Sequence, residues 1–133
     1  MKVLLINPNR YTNPPVPPIG LECLAASLKS QDHEAAILDL CFSLNQFEDI
    51  DHSVRSFQPD IAGITVRNVD TVIFHANEFF LDQIKQIVTY LKDRLGLQVL
   101  IGGAGLLSNP EGILKYLNAD YAIKGPAENT IND

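Results

Sequence analysis

The stretch Val99-Leu100-Ile101-Gly102-Gly103-Ala104-Gly105 is a strand-like apolar run that ends in a surface almost free of side chains. Glycine in such a place lets a flat or elongated ligand approach the backbone closely. Three other apolar runs end in equally unusual segments, Asn7 to Pro18, Thr65 to Asp70 and Gly125 to Glu128. If the runs are parallel strands, these segments converge on one rim.

The periodicity supports that arrangement. Val3 to Ile6 predicts a first strand, and Leu21, Leu24, Ala25 and Leu28 lie at helical spacing between Gly20 and Lys29. His33 to Leu40 predicts a second strand, followed by a weaker helix over Gln46 to Phe57. Asp60 to Val66 reads as the third strand. Ile84, Ile87, Val88, Leu91 and Leu95 then mark a long helix that Gly96 ends. Leu97 to Ile101 is the fourth strand. Asn109-Pro110-Glu111 opens a helix through Ile113, Leu114 and Leu117, and Asp120 to Lys124 is the fifth strand. Strands separated by crossover helices imply an α/β fold, a doubly wound, flavodoxin-like (Rossmann-like) five-stranded parallel sheet of order 2-1-3-4-5. Ligands of such sheets bind outside the carboxyl ends of the strands, where the unusual segments lie.

With 133 residues the chain has the size of one domain. A hydrophobic content of 46%, a charged content of 20% and no long apolar stretch exclude a membrane-spanning helix and lead to the expectation of a cytoplasmic protein. The amino-terminal apolar run is too short for a signal peptide. A net charge of −6 without a Lys/Arg cluster argues against nucleic acid. Cys23 and Cys41 lack metal-site spacing, so the chain alone is not expected to ligate an iron–sulfur cluster. Its end at Asp133, just after Gly125-Pro126-Ala127-Glu128, suggests the amino-terminal part of a longer protein.

Elimination narrows the ligand. A dinucleotide fold needs G-x-G-x-x-G after the first strand, where this chain has Asn7-Pro8-Asn9-Arg10. Asp39 mimics the ribose-binding acid in position, but without the glycine turn it reads as a strand-end carboxylate. A phosphate-receiver domain needs clustered acids and an aspartate where Asn7 and Thr65 stand. Nucleophile elbows and metal-ligand pairs are missing.

The remaining pattern, Thr65-Val66 after strand three and Gly102-Gly103 after strand four, is similar to the cobalamin-binding domain family. There a Ser/Thr and a glycine pair accommodate the nucleotide tail of vitamin B12. More closely, Pro17-Pro18-Ile19-Gly20-Leu21, His33-Glu34, Arg67-Asn68-Val69-Asp70, Gly102-Gly103-Ala104-Gly105 and Asp120-Tyr121 resemble the amino-terminal cobalamin-binding domain of B12-dependent radical SAM enzymes. The resemblance spans essentially residues 1–133. It implies a cobalamin cofactor, a radical SAM catalytic domain elsewhere in the longer chain, and there S-adenosylmethionine and a [4Fe-4S] cluster, with methyl transfer as the common chemistry. The 133 residues themselves are then not catalytic.

Two departures shape the expectation. The D-x-H-x-x-G motif that supplies a lower axial histidine is absent, as is common in the radical SAM branch, so no protein histidine is expected on cobalt. Relatives often carry Gly-Glu-Gly-Glu where this chain has Gly125-Pro126-Ala127-Glu128. The resemblance implies cofactor contacts from Asn9, Arg10 and Tyr11, from Thr65, Val66, Arg67 and Asn68, from Gly102, Gly103, Ala104 and Gly105, and from Gly125 and Glu128.

Each has a plainer alternative. The loop from Arg10 through Asn13 to Pro18 either covers the lower face of the corrin or packs against another domain. Thr65 either bonds the cofactor or satisfies local backbone. The glycines either admit the tail or make a tight turn. Glu128 either accepts from ligand amides or caps a helix. His33 reads as a turn residue and His52 as a helix-surface residue; His75 alone is placed near the rim. Cys23 lies off its helix's apolar stripe. Two competing functions stay open: a sensor or interaction domain that keeps the fold without the corrin, and a flavodoxin-like FMN-binding domain.

Overall fold

Val3 through Asn7 are buried in the first strand, β1 (Lys2–Asn7), and a run buried on both faces belongs at the centre of a parallel sheet. β1 pairs in parallel with β2 (Glu34–Asp39) on one side and β3 (Ile61–Thr65) on the other. β4 (Gln98–Gly102) pairs with β3, and the short β5 (Tyr121–Ala122) closes the edge. The order is β2-β1-β3-β4-β5, all parallel, as the sequence predicts. The computed structural model describes residues 1–69 and 80–131.

Among the described residues four helices cover the sheet: α1 (Ile19–Lys29), α2 (Gln46–Phe57), α3 (Phe80–Thr89, continued by a π turn over Tyr90–Arg94) and α4 (Pro110–Leu117). Alternation along each strand divides the apolar side chains between two layers. Leu4 and Ile6 of β1, Ala62 and Ile64 of β3, and Val99 and Ile101 of β4 meet Ile50, Ile84, Ile87, Val88, Ile113 and Leu117 from α2, α3 and α4. On the opposite face Val3 and Leu5 meet Leu21, Leu24, Ala25 and Leu28 of α1. Helices therefore lie on both faces.

The predicted helix ends are met by specific bonds. Gly96 adopts φ +67°, its N–H bonds the Lys92 carbonyl at 3.1 Å, and the Leu97 N–H reaches Leu91 at 3.0 Å. That nested pair is one residue wider than a Schellman cap, following the π turn, and its left-handed position likewise favours glycine. Asn109 caps α4 by accepting from the Gly112 N–H at 3.0 Å, with Pro110 in the first turn. β5 is shorter than the predicted Asp120–Lys124 segment. Bonds from the Asp120 N–H to Val99 and from the Ile123 N–H to Ile101 continue the pairing on either side, and Gly125-Pro126 then turns the chain away. The final turn is a 3-10 turn, Ala127–Asn129, tied to α1 where Ser27 Oγ donates to the Glu128 carbonyl at 2.8 Å.

Candidate functional site

The carboxyl ends of β1, β3, β4 and β5 meet along one rim, and the sheet beneath it is hollowed on the α1 face. The register explains the hollow. Gly63 stands opposite Leu100, and Thr65 opposite Gly102, all four on the face away from the larger core. Two of these positions have no side chain, so the sheet surface is lowered there. Leu5, Leu21 and Leu24 wall the resulting slot on one side and Ile123, Pro126 and Ala127 on the other, enclosing about 180 Å³. An apolar cavity of roughly 150 Å³ accepts a benzene ring, so this space takes a flat ring system slightly larger.

Above the slot lies a wider cleft of about 360 Å³, bounded by Asn7, Asn9, the Val16–Gly20 segment, Arg67 and Ala104. Gly20, Leu21, Thr65 and Gly103 border both spaces. Slot and cleft thus adjoin as one site, with Thr65 on their shared border. The Thr65 hydroxyl makes no hydrogen bond within the protein among the described residues, and it is half-buried. It is free to bond a ligand passing from cleft to slot.

The glycines divide by role. A Cβ on Gly102 meets nothing closer than the Ile123 carbonyl oxygen at 3.9 Å, so Gly102 leaves space that belongs to the slot. Gly103 has φ +111°, and a Cβ there falls 2.7 Å from the Val66 carbonyl oxygen. A Cβ on Gly105 is equally close to that oxygen, and the Gly105 N–H bonds it at 2.8 Å. Gly103 and Gly105 let the β4 loop lock onto the end of β3, while Val66 is buried in the larger core and contributes through its backbone. Gly125, at φ +93°, faces the slot with open space around its Cα.

The remaining predicted residues fall into two groups. Asn9 and Arg67 line the cleft, as does Ala104, and Glu128 lines the slot. Arg10 instead donates to the Ser43 carbonyl beyond β2, and Tyr11 is exposed, its carbonyl accepting from Cys41 Sγ at 3.4 Å. Asn68 is exposed and borders neither space. The Asn9 carboxamide accepts from the Tyr11 N–H at 3.0 Å, and buried Asn7 accepts from the Asn9 N–H at 3.3 Å while donating to Asp39 at 2.9 Å. Asp39 also receives the Cys41 N–H at 3.1 Å, so its carboxylate ties together the ends of β1 and β2. His33 sits in the turn before β2, at the far end of the strands, and His52 is exposed on α2. His75 lies outside the described residues. Cys23 is exposed on α1.

Among the described residues three pKa values are displaced, all in other parts of the domain. Tyr90 and Tyr116 are raised, first by their hydrogen bonds to Asp51 and Asp82. Asp120 is lowered: burial works against ionisation, but the Val99 N–H and then the Lys92 ammonium outweigh it. Among the described residues no group of three or more His, Cys, Asp or Glu is placed to hold a metal ion. No helix there is long and apolar enough to cross a membrane.

A family model for the B12 binding domain matches residues 11–133. The chain belongs to the B12-binding domain family. This B12-binding domain is 33% identical over 132 residues to tryptophan 2-C-methyltransferase of Streptomyces laurentii, covering 98% of the chain and 22% of that protein. Among solved structures it is similar to the radical S-adenosylmethionine methyltransferase TsrM of Kitasatospora setae with cobalamin and a [4Fe-4S] cluster bound. There the TM-score is 0.89 and the identity 32%, over 98% of this chain and 24% of that one. The TsrM structure with tryptophan and a SAM analogue gives a TM-score of 0.90 at 30% identity, over 98% of this chain and 24% of that one. OxsB, a cobalamin-dependent S-adenosylmethionine radical enzyme, shares the fold at TM-score 0.72 and 19% identity, over 99% and 18%. The chain spans less than a quarter of the length of these relatives.

The site fits a corrinoid on its own geometry. The largely apolar slot suits a flat base, the Thr65 hydroxyl on its border suits the polar linker, and the cleft suits the edge of a wide ring rich in amides.

The sequence analysis quotes Leu100 and Gly20 within their segments without giving either a cofactor contact, and it passes over Gly63. Gly63 carried a signal, being a lone glycine inside a β-branched run, which marks a close approach.

Proposed function

We propose that this B12-binding domain holds cobalamin with its nucleotide tail in the slot and its ring across the cleft, and presents it to a radical SAM catalytic domain of a longer protein. The carrying observation is the slot itself, a sheet surface kept low at Gly102 and at Gly63, over which Leu5 leans, that opens past a Thr65 hydroxyl with no partner among the described residues. When bound, cobalamin supplies a cobalt centre that carries a methyl group toward a substrate radical; S-adenosylmethionine and the [4Fe-4S] cluster belong to the catalytic domain. This chain binds and orients.

Leu5, Leu21, Leu24 and Ile123 would exclude water from the tail and hold its base in the slot, which would suit the base-off arrangement. Thr65 bonds the polar linker on the shared border. Asn9 and Arg67 direct donors at the ring's side amides, with backbone groups of Gly102 to Gly105 beneath its edge. Arg10 and Tyr11 hold the long first loop against the β2–α2 connection, so their role is to position Asn9 and the Val16–Pro18 wall. Glu128 and Gly125 complete the slot's outer wall. The described histidines, His33 and His52, border neither space, which supports a cobalt without a protein histidine ligand.

The test is direct. The chain is mixed with hydroxocobalamin, freed of unbound ligand and examined by visible spectroscopy, and the assay is repeated on the longer protein. Retained colour with a base-off spectrum, unchanged by His75→Ala, is expected. Colourless protein in both forms would overturn the reading in favour of a sensor or interaction domain, and retention of yellow flavin instead would assign an FMN-binding domain.

A further inference from the structure

Leu100 occupies the middle of β4, between β3 and β5, yet it is only half-buried. Its strand neighbours Val99 and Ile101 are fully covered by the larger core. Among the described residues Leu100 belongs to neither packed cluster. A leucine left partly exposed on an interior strand is unusual, because its burial is what normally stabilises such a position. Its side chain faces the slot, directly across from Gly63.

From this we infer that Leu100 is a specificity-determining residue, the floor that sets which nucleotide base a corrinoid may carry. The inference rests on the proposed function and deepens it. Gly63 and Gly102 lower the sheet beside Leu100, with the Leu5 side chain leaning over Gly63, so Leu100 is a raised part of the floor on which a planar base lies. The space of about 180 Å³ is close to the size that one small aromatic ring system fills. A third fused ring exceeds it unless the floor is lowered. Base size is therefore read by this side chain, whereas the corrin ring, held in the cleft, is not.

The experiment measures equilibrium binding of three probes to the chain and its Leu100 variants. The probes are cobalamin with its two-ring dimethylbenzimidazole, a cobamide with a three-ring naphthimidazole, and cobinamide, which lacks a base. Wild type is expected to favour cobalamin over the three-ring cobamide by about tenfold or more. Leu100→Ala should shrink or invert that ratio by about tenfold, the effect of a few carbons in a hydrophobic pocket. Leu100→Phe should weaken cobalamin, and cobinamide should bind all variants within about twofold. Leu100→Val gives an intermediate ratio and guards against a folding defect in either extreme, with melting temperature followed in parallel. An unchanged ratio in a folded Leu100→Ala protein would overturn the inference, and a lowered melting temperature alongside it would assign Leu100 to packing against polypeptide. Failure of wild type to bind cobalamin at all would instead defeat the underlying function.

Discussion

Replacing Gly102 with leucine places a side chain inside the slot without disturbing the sheet. The position lies in β4 with a backbone conformation open to any L residue, and the nearest atom to a new Cβ is the Ile123 carbonyl oxygen at 3.9 Å. Four added carbons occupy much of a space of about 180 Å³, leaving no room for a ring. A buried aromatic group covers roughly 150–250 Å². At about 25 cal/mol per Å² the lower figure corresponds to about 4 kcal/mol, or nearly three decades in Kd. Spectrophotometric titration with hydroxocobalamin should show Gly102→Leu binding two to three orders of magnitude (roughly) more weakly than wild type. Thermal melting of the ligand-free chain should be unchanged or slightly higher, because an apolar void has been filled. Undiminished affinity in a folded Gly102→Leu protein would refute the idea that the slot holds the tail.

Gly103→Ala acts differently, since its φ of +111° and the Val66 carbonyl at 2.7 Å oppose any Cβ; a loss of about 1–3 kcal/mol is expected in chemical denaturation. Asn7→Ala removes the buried link to Asp39 and the acceptor for the Asn9 N–H, which should cost about 1–3 kcal/mol and increase proteolysis within residues 9–18. Asp120 bonds the Val99 N–H at 2.8 Å and Lys92 at 2.9 Å, and its lowered pKa stabilises the fold above the ordinary carboxylate range of about 4. That contribution is lost as pH falls through the folded value. With Asp120 28% exposed, Asp120→Asn should cost at most about 1 kcal/mol near neutrality, and urea melts should show the difference shrinking as pH falls below the ordinary carboxylate range.

The helix ends and the strand order were legible because they depend on local chemistry. Gly96 and Asn109 announce their caps wherever the helices pack, and apolar runs separated by crossover-length segments admit few topologies. The rim followed from the same topology. The slot floor was not legible, for a physical reason: Val99-Leu100-Ile101 runs apolar although its burial alternates, so no polar residue distinguishes Leu100 from Ile101. Only the register shows that Leu100 meets Gly63 while Ile101 enters the core. The attachment of Arg10 to Ser43 depends on two loops 33 residues apart, and the π turn at Tyr90–Arg94 has no local signature. Ala127–Asn129, read as the start of a helix, forms a 3-10 turn pinned by Ser27.

The layer beneath α1 stops short at Gly63, whereas the opposite layer runs across the whole sheet from Leu4 to Ile101. On the proposed function, the missing half of that layer arrives with the ligand, which then serves as interior material as well as reagent. Ligand present at a hundred times its Kd adds about 2.7 kcal/mol to a protein that binds it only when folded. The lifetime of such a domain in a cell would track vitamin supply, so that starved cells clear the very polypeptide they are unable to load.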